Sequence, residues 1–236
     1  MKETNQLIKN LEDLNNLISD EIIRYNENDI RNVTLDLIAT QIQGFRTSLV
    51  LSKNINKDWL FKNNNNESYN EIEIKTFISN FVNYQIDAFF MNTFIYIETH
   101  IRLIAKHYEN SSNKILNIKI SETFKNLTNI NKIQLFKNIS EENKLLFKFY
   151  LSLRNTIHSG HFHTWENTFF IINDTFSIIY KTEKKLELHK NKQVEINPFE
   201  KLLLIEQIIK LIFKINLDIP NDTIIEHSYV GIGYNE

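Results

Sequence analysis

The run Arg154-Asn155-Thr156-Ile157-His158-Ser159-Gly160-His161-Phe162-His163 gathers a permanent cation, an amide and three imidazoles in one short stretch. A guanidinium holds a phosphate through two parallel N–H bonds. An imidazole moves protons near neutral pH. Together they meet the two needs of metal-free phosphodiester cleavage, charge stabilisation at phosphorus and proton transfer at the attacking and leaving oxygens. At about 100° per residue, a histidine four places after Arg154 is displaced by about 40° around a helix, and one seven places after by about 20° the other way. His158 and His161 can therefore share the Arg154 face, although Gly160 is expected to end the helix before His161. Asn155 points about a quarter turn away, toward a neighbouring helix or a phosphate.

Two other readings use the same residues. Arg154 can pair with Glu98 or another buried carboxylate to tie two helices, with His158 at a helix C-terminus where positive charge suits the dipole. Alternatively His158, His161 and His163, with Glu98 or Glu166, supply ligand types suited to zinc or another divalent ion. The familiar helical zinc pattern of two histidines around a glutamate is absent, however, and His161 and His163 follow a glycine. No cofactor is expected.

The elements that must position these residues read as helices. Leu7, Leu11, Leu14, Ile18 and Ile22 recur at helical spacing and predict a helix from about Thr4 to Asn26. Asp29 caps a second, with Ile30, Val33, Leu37, Ile38, Ile42, Phe45 and Leu49 as its stripe, ending near Lys53. These two form an antiparallel hairpin. Residues 54–70, with Asn63-Asn64-Asn65-Asn66, read as a long surface loop because side-chain amides compete for the backbone. A central helix rich in aromatics follows from Glu71 to about His107. Ser121 and Ser140 are both suited to N-caps. The segment from Lys144 to Ile157 reads as a mostly buried helix that stops at Ser159-Gly160.

Beyond Trp165 the period changes. Thr168–Ile172 and Phe176–Tyr180 are β-branched and aromatic around Asn173-Asp174, which predicts a tight hairpin. Leu186–Leu188 and Val194–Ile196 predict a second ribbon. Asn197-Pro198-Phe199-Glu200 opens a final helix to about Asn216 with a capping box and proline at the first position. The tail from Asp218 reads as irregular. The expected fold is mainly α, one domain over residues 1–236. It comprises an N-terminal hairpin (1–53), a helical core (71–163), a small antiparallel β appendage (166–196) and a C-terminal helix (197–216).

An apolar helix ending in Arg154-Asn155 and then a histidine, preceded by a long helix carrying Glu98-Thr99-His100-Ile101-Arg102, resembles the HEPN superfamily, the higher eukaryotes and prokaryotes nucleotide-binding domain. The resemblance spans roughly residues 72–163. The family motif places four to six residues between its arginine and its histidine. His158 leaves three and His161 leaves six, so the chain fits a contracted motif through His158 or the longest form through His161.

The resemblance implies a helical bundle, commonly dimeric, and a metal-independent endoribonuclease of a bacterial defence, abortive-infection or toxin–antitoxin system. The site would be shared across a homodimer and would leave 2′,3′-cyclic phosphate and 5′-hydroxyl ends. Arg154, Asn155, His158 and His161 would carry the chemistry, with Arg154 and His158 as the leading pair, His161 as its rival at the family spacing and Glu98 in support, and an antitoxin or other protein would be a partner. A non-catalytic HEPN-like module binding protein or nucleotide is the alternative.

Composition limits these readings. With 236 residues and 42% hydrophobic content the chain can bury a sizeable core. Lys+Arg 27 against Asp+Glu 29 gives a net charge of -2, so any nucleic-acid contact must be local. The candidate local footprint is a basic edge on the β appendage, with Lys184, Lys185 and Lys190 as RNA-binding residues beside Lys181, Lys192 and His189. A lysine-rich ribbon protected against edge pairing is the alternative. Phe89, Phe90, Phe94 and Tyr96 read as core rather than as a base-stacking platform. Absence of cysteine excludes disulfides and thiolate metal sites. No signal peptide or membrane span is visible, so a cytoplasmic protein is expected. P-loop, dinucleotide-binding and serine-elbow patterns are absent.

Overall fold

A computed structural model of the chain describes residues 2–63, 68–109, 118–129, 135–136, 138–172 and 184–226. It is mainly helical, with two small antiparallel strand pairs before the last helix. The elements are α1 (Lys2–Ile22), α2 (Ile30–Ser52), α3 (Lys57–Asn63), α4 (Glu71–Glu109), α5 (Ile120–Thr128), α6 (Glu141–His158), β1 (Phe162–His163), β2 (Thr168–Ile172), β3 (Lys184–Leu188), β4 (Lys192–Gln193) and α7 (Pro198–Leu217).

The predicted hairpin of α1 and α2 is present. Leu7, Leu11, Leu14 and Ile18 are buried against Leu35, Ile38, Ile42 and Leu49. α1 stops at Ile22 rather than near Asn26, because the Asn32 amide donates to the carbonyls of Ile22 (3.3 Å) and Tyr25 (3.2 Å) and closes the end. α2 then lies antiparallel to α4. Thr34 meets His100 at 3.1 Å, Asn92 donates to Gln41 at 3.0 Å, and Phe45 stacks on Phe89 at 5.5 Å. At 39 residues α4 is about 58 Å long, enough to touch α2, α5, α6 and α7 in turn.

The stretch read as a long loop contains α3. Asn56 accepts from the Trp59 N–H at 2.9 Å, and Leu60 is fully buried, so one apolar anchor and one cap outweigh the asparagine content. α5 starts one residue before the predicted Ser121 cap. Lys119 holds the cap position without a side-chain bond, and partly buried Ile120 packs against the core as the first helical residue.

Ser140, Asn197 and Asp29 cap as predicted, and Asn197 and Glu200 exchange both capping-box bonds at 3.0 Å. From Leu202 to Ile215 the apolar side chains of α7 are nearly all buried, and the helix runs parallel to α4, joined by Lys201 to Asp87 at one end and Asn216 to His100 at the other.

The strand pairing differs from expectation. β2 pairs with β3, Thr168 opposite Leu188 through Ile172 opposite Lys184, so Leu186–Leu188 does not pair with Val194–Ile196. The reason is burial: Phe170, Leu186 and Leu188 share one covered face. The predicted second strand, Phe176–Tyr180, lies outside the described residues. β1 pairs with β4, and Val194 N–H donates to the His161 carbonyl at 2.8 Å.

The segment after α7 is tied down. Arg31, fully buried, donates to both carboxylate oxygens of Asp29 (3.0 and 2.7 Å) and to the Thr223 carbonyl (2.5 Å), while Ile30 N–H donates to Ile225.

Candidate functional site

The end of α6 is defined by backbone chemistry. Gly160 takes φ 71°, its N–H donates to the Ile157 carbonyl (3.1 Å), and the His161 N–H donates to Thr156 (2.9 Å). These are the two crossed bonds of a Schellman termination, in which the left-handed residue is usually glycine. His161 itself has φ 66°, an uncommon conformation for a residue with a side chain. The two left-handed residues reverse the chain, and His161 reaches α4.

There the imidazole Nε2 sits 3.0 Å from Asp87 Oδ2. The other oxygen of Asp87 accepts from Lys201 Nζ at 2.5 Å. Exposure falls along this chain, from 34% for His161 to 17% for Asp87 and 5% for Lys201. A nitrogen against a carboxylate must carry the proton, which leaves Nδ1 as the other working atom of the ring. A buried ammonium needs a partner, and Asp87 supplies it. Asp87 therefore accepts from two groups at once, the Lys201 ammonium in the core and the His161 ring N–H nearer the surface.

Arg154 leans on the same helix. Its guanidinium carbon lies 4.9 Å above the Phe94 ring, and Nη1 donates to Asn155 Oδ1 at 3.0 Å. Asp87 and Phe94 are seven residues apart, so they share one face of α4, about 10 Å along it. No carboxylate pairs with Arg154 among the described residues, and its Nε is buried without a partner. Nη2 makes no hydrogen bond among the described residues and is the donor left for an anion, since the buried Nε is closed to solvent.

Glu98 does not meet Arg154. It accepts from Arg102 one turn further along α4, at 2.7 and 2.9 Å. The α-helical i,i+4 spacing makes that pairing local. His158, the last residue of α6, is exposed.

His163 is fully buried. One ring nitrogen lies 2.8 Å from Thr156 Oγ1 and the other 3.0 Å from the Glu166 carbonyl, so it staples the ribbon to α6. The three histidines therefore diverge instead of converging as metal ligands. Among the described residues no group of three or more His, Cys, Asp or Glu side chains is placed to hold a metal ion.

The lysines proposed for RNA contact are engaged: Lys184 with Glu200 (2.7 Å), Lys185 with Glu187 (2.6 Å) and Lys190 with Glu166 (2.7 Å). The last two cations hold the carboxyls of Glu187 and Glu166 below the usual range. Phe89, Phe90 and Phe94 are core, as expected, and burial raises the Tyr150 phenol packed against Phe90 and Phe94.

Asp87 and Lys201 lie outside the Arg–His motif. The signal in the sequence is that Asp87 is a lone charge in the apolar run Ile86-Asp87-Ala88-Phe89 and that Lys201 opens the apolar run Leu202-Leu203-Leu204-Ile205, where a charge is rarely buried unless paired. A separate cleft of about 740 Å³ between α5 and α6, floored by Phe124, Phe136 and Phe147, includes none of Arg154, Asn155, His158 or His161. The chain matches no family model, no curated protein and no solved structure.

Proposed function

We propose that the chain is a HEPN-like, metal-independent endoribonuclease acting at the end of α6, in a bacterial defence or toxin–antitoxin setting. The observation that carries the reading is the placement on one face of α4, at points about 10 Å apart, of an arginine with an uncommitted donor group and a histidine held by a carboxylate. His161, at the longest spacing of the motif, is the principal proton-transfer group. Asp87 is its positioning residue, and Lys201 anchors Asp87.

In the reaction the ribose 2′-oxygen attacks phosphorus, its proton passes to a base, the P–O5′ bond breaks, and the 5′-oxygen takes a proton from an acid. His161 is suited to one transfer through Nδ1. His158, exposed one turn beyond Arg154, is the candidate for the other, from the same subunit or across a homodimer. Arg154 stabilises charge on the non-bridging oxygens, with Asn155 holding the guanidinium.

The test is end-group analysis of single-stranded RNA incubated with the protein in EDTA. Cyclic 2′,3′-phosphate and 5′-hydroxyl ends are expected, whereas 5′-phosphate ends or strict dependence on added metal would refute the mechanism. Asp87→Asn should lower kcat and change the pH–rate profile, with partial rescue by Asp87→Glu. A purely structural Asp87 would instead change stability and leave the profile in place.

One observation favours a second reading, a non-catalytic module. Arg154 is packed on Phe94 and bonded to Asn155, as a structural arginine would be. Uncleaved RNA with intact folding would favour it.

A further inference from the structure

The cleft between α5 and α6 carries a charge opposite to that of the chain as a whole. Lys125, Lys144 and Lys148 line it against a single carboxylate, Glu141, while the chain has a net charge of -2. Glu141 is bonded to Lys144 at 2.6 Å. Lys125, in the last turn of α5, and Lys148 are both exposed, and neither pairs with a carboxylate among the described residues.

The walls of the cleft are fixed by packing. Phe124 of α5 stacks on Phe147 of α6 with ring centres 4.1 Å apart, and the Phe136 N–H donates to the Leu127 carbonyl at 3.1 Å. At about 740 Å³ the cleft is in the size range of pockets that enclose a small ligand, which gives room for a nucleotide unit.

Helical phase sets where the cleft leads. Along α6, Glu141, Lys144, Lys148, Leu151, Asn155 and His158 follow one another at steps of three and four. At about 100° per residue they all fall within an arc of about 100° on one helix face. The first four line the cleft. Asn155 and His158 continue that face toward the end of the helix, about 10 and 15 Å beyond Lys148 along the axis. Arg154 borders the same arc, about 40° from His158.

We propose that this cleft is the entry track for single-stranded RNA, with Lys125 and Lys148 on backbone phosphates and the strand running along α6 to Arg154 and His158. The proposal rests on the ribonuclease reading for its direction. It supplies the local basic footprint that a nucleic-acid contact needs on a chain of net charge -2. The ribbon lysines do not supply it, because Lys184, Lys185 and Lys190 are each held by a carboxylate. A basic groove holds a single strand by its backbone, so binding should be tolerant of sequence and sensitive to salt.

The test is fluorescence anisotropy of a labelled oligouridylate RNA titrated with the protein over a series of salt concentrations, in a His161→Ala background to prevent cleavage. Neutralising both lysines, Lys125→Gln with Lys148→Gln, should weaken binding about tenfold at roughly 0.1 M salt. It should also flatten the slope of log affinity against log salt by about 1.4, since each phosphate contact on a single strand contributes about 0.7. The melting temperature should not change, because both side chains are exposed. Lys190→Gln on the ribbon should alter neither affinity nor slope.

Unchanged affinity and slope in the double variant, or no RNA binding in the His161→Ala background, overturns the track even if the wild type cleaves RNA. Binding that depends on the two lysines, with no cleavage by the wild type, leaves the track standing and removes the nuclease reading. If phosphatidylglycerol vesicles bind through the same two lysines while RNA does not, the cleft belongs to a membrane surface and the proposal is overturned as well.

Discussion

At the scale of single residues, the chain separates histidines by the company that they keep. His161 faces a carboxylate at the surface, His163 staples the ribbon, and His100 is fully buried between Thr34 (3.1 Å) and Asn216 (2.9 Å). Burial pushes His100 down to about 4, against the opposing effect of its bond to Asn216. Because the folded value is depressed below the unfolded one of about 6.5, its contribution to stability is complete above about pH 6.5 and is lost as pH falls through 4. The shift corresponds to on the order of 3 kcal/mol across that window. The His100 ring resonances are therefore expected to stay constant from pH 8 to 5 in the folded protein, and movement with a midpoint near 6.5 would contradict the burial argument. The clustering of Arg154 and three histidines around the end of one helix was legible in the sequence. That His161 turns toward Asp87 was not, because a tertiary contact across 74 positions leaves no local trace.

At the scale of elements, boundaries follow caps where caps exist. Asp29, Ser140, Asn197 and Gly160 all act as their side chains, or the lack of one, dictate. The termination at Gly160 also aims His161, so it links local backbone to the site. A Cβ at Gly160 would meet nothing within 4 Å, so the cost of Gly160→Ala is conformational. That substitution should destabilise the fold by about 1–2 kcal/mol, a fall in Tm of a few degrees. Gly160→Asn should cost less, because asparagine tolerates the left-handed region. Equal losses would argue against the backbone explanation. Strand partners were less legible than helix ends. The alternation in Lys184-Lys185-Leu186-Glu187-Leu188 marks a strand with one buried face. Its partner is decided by which other strand carries a matching apolar face, here Phe170.

At the scale of the whole molecule, α4 and α7 form a parallel pair on which the other helices are arranged, and the proposed site lies where both meet the end of α6. Among the described residues no helix is long and apolar enough to cross a membrane. The far end of the bundle is closed by Arg31, which with Asp29 locks the segment after α7 onto the start of α2. Removing one member of a buried ion pair leaves the other unpaired, at about 3–5 kcal/mol. Arg31→Met should therefore lower Tm by roughly 10 °C. The double variant with Asp29→Asn should recover part of that loss, and no recovery would mean that the carbonyl contacts of Arg31 dominate. Such a lock lies away from Arg154, so RNA cleavage measured well below Tm should be little changed.

The most direct test of the central claim is the single-turnover rate of RNA cleavage in EDTA by His161→Ala and Arg154→Ala, measured beside their thermal melts. The arrangement on α4 predicts a loss of about 10²–10⁴ in rate for His161→Ala and a comparable or larger loss for Arg154→Ala, with melting temperatures close to wild type. Wild-type rates in either variant, or losses that track unfolding, would contradict it.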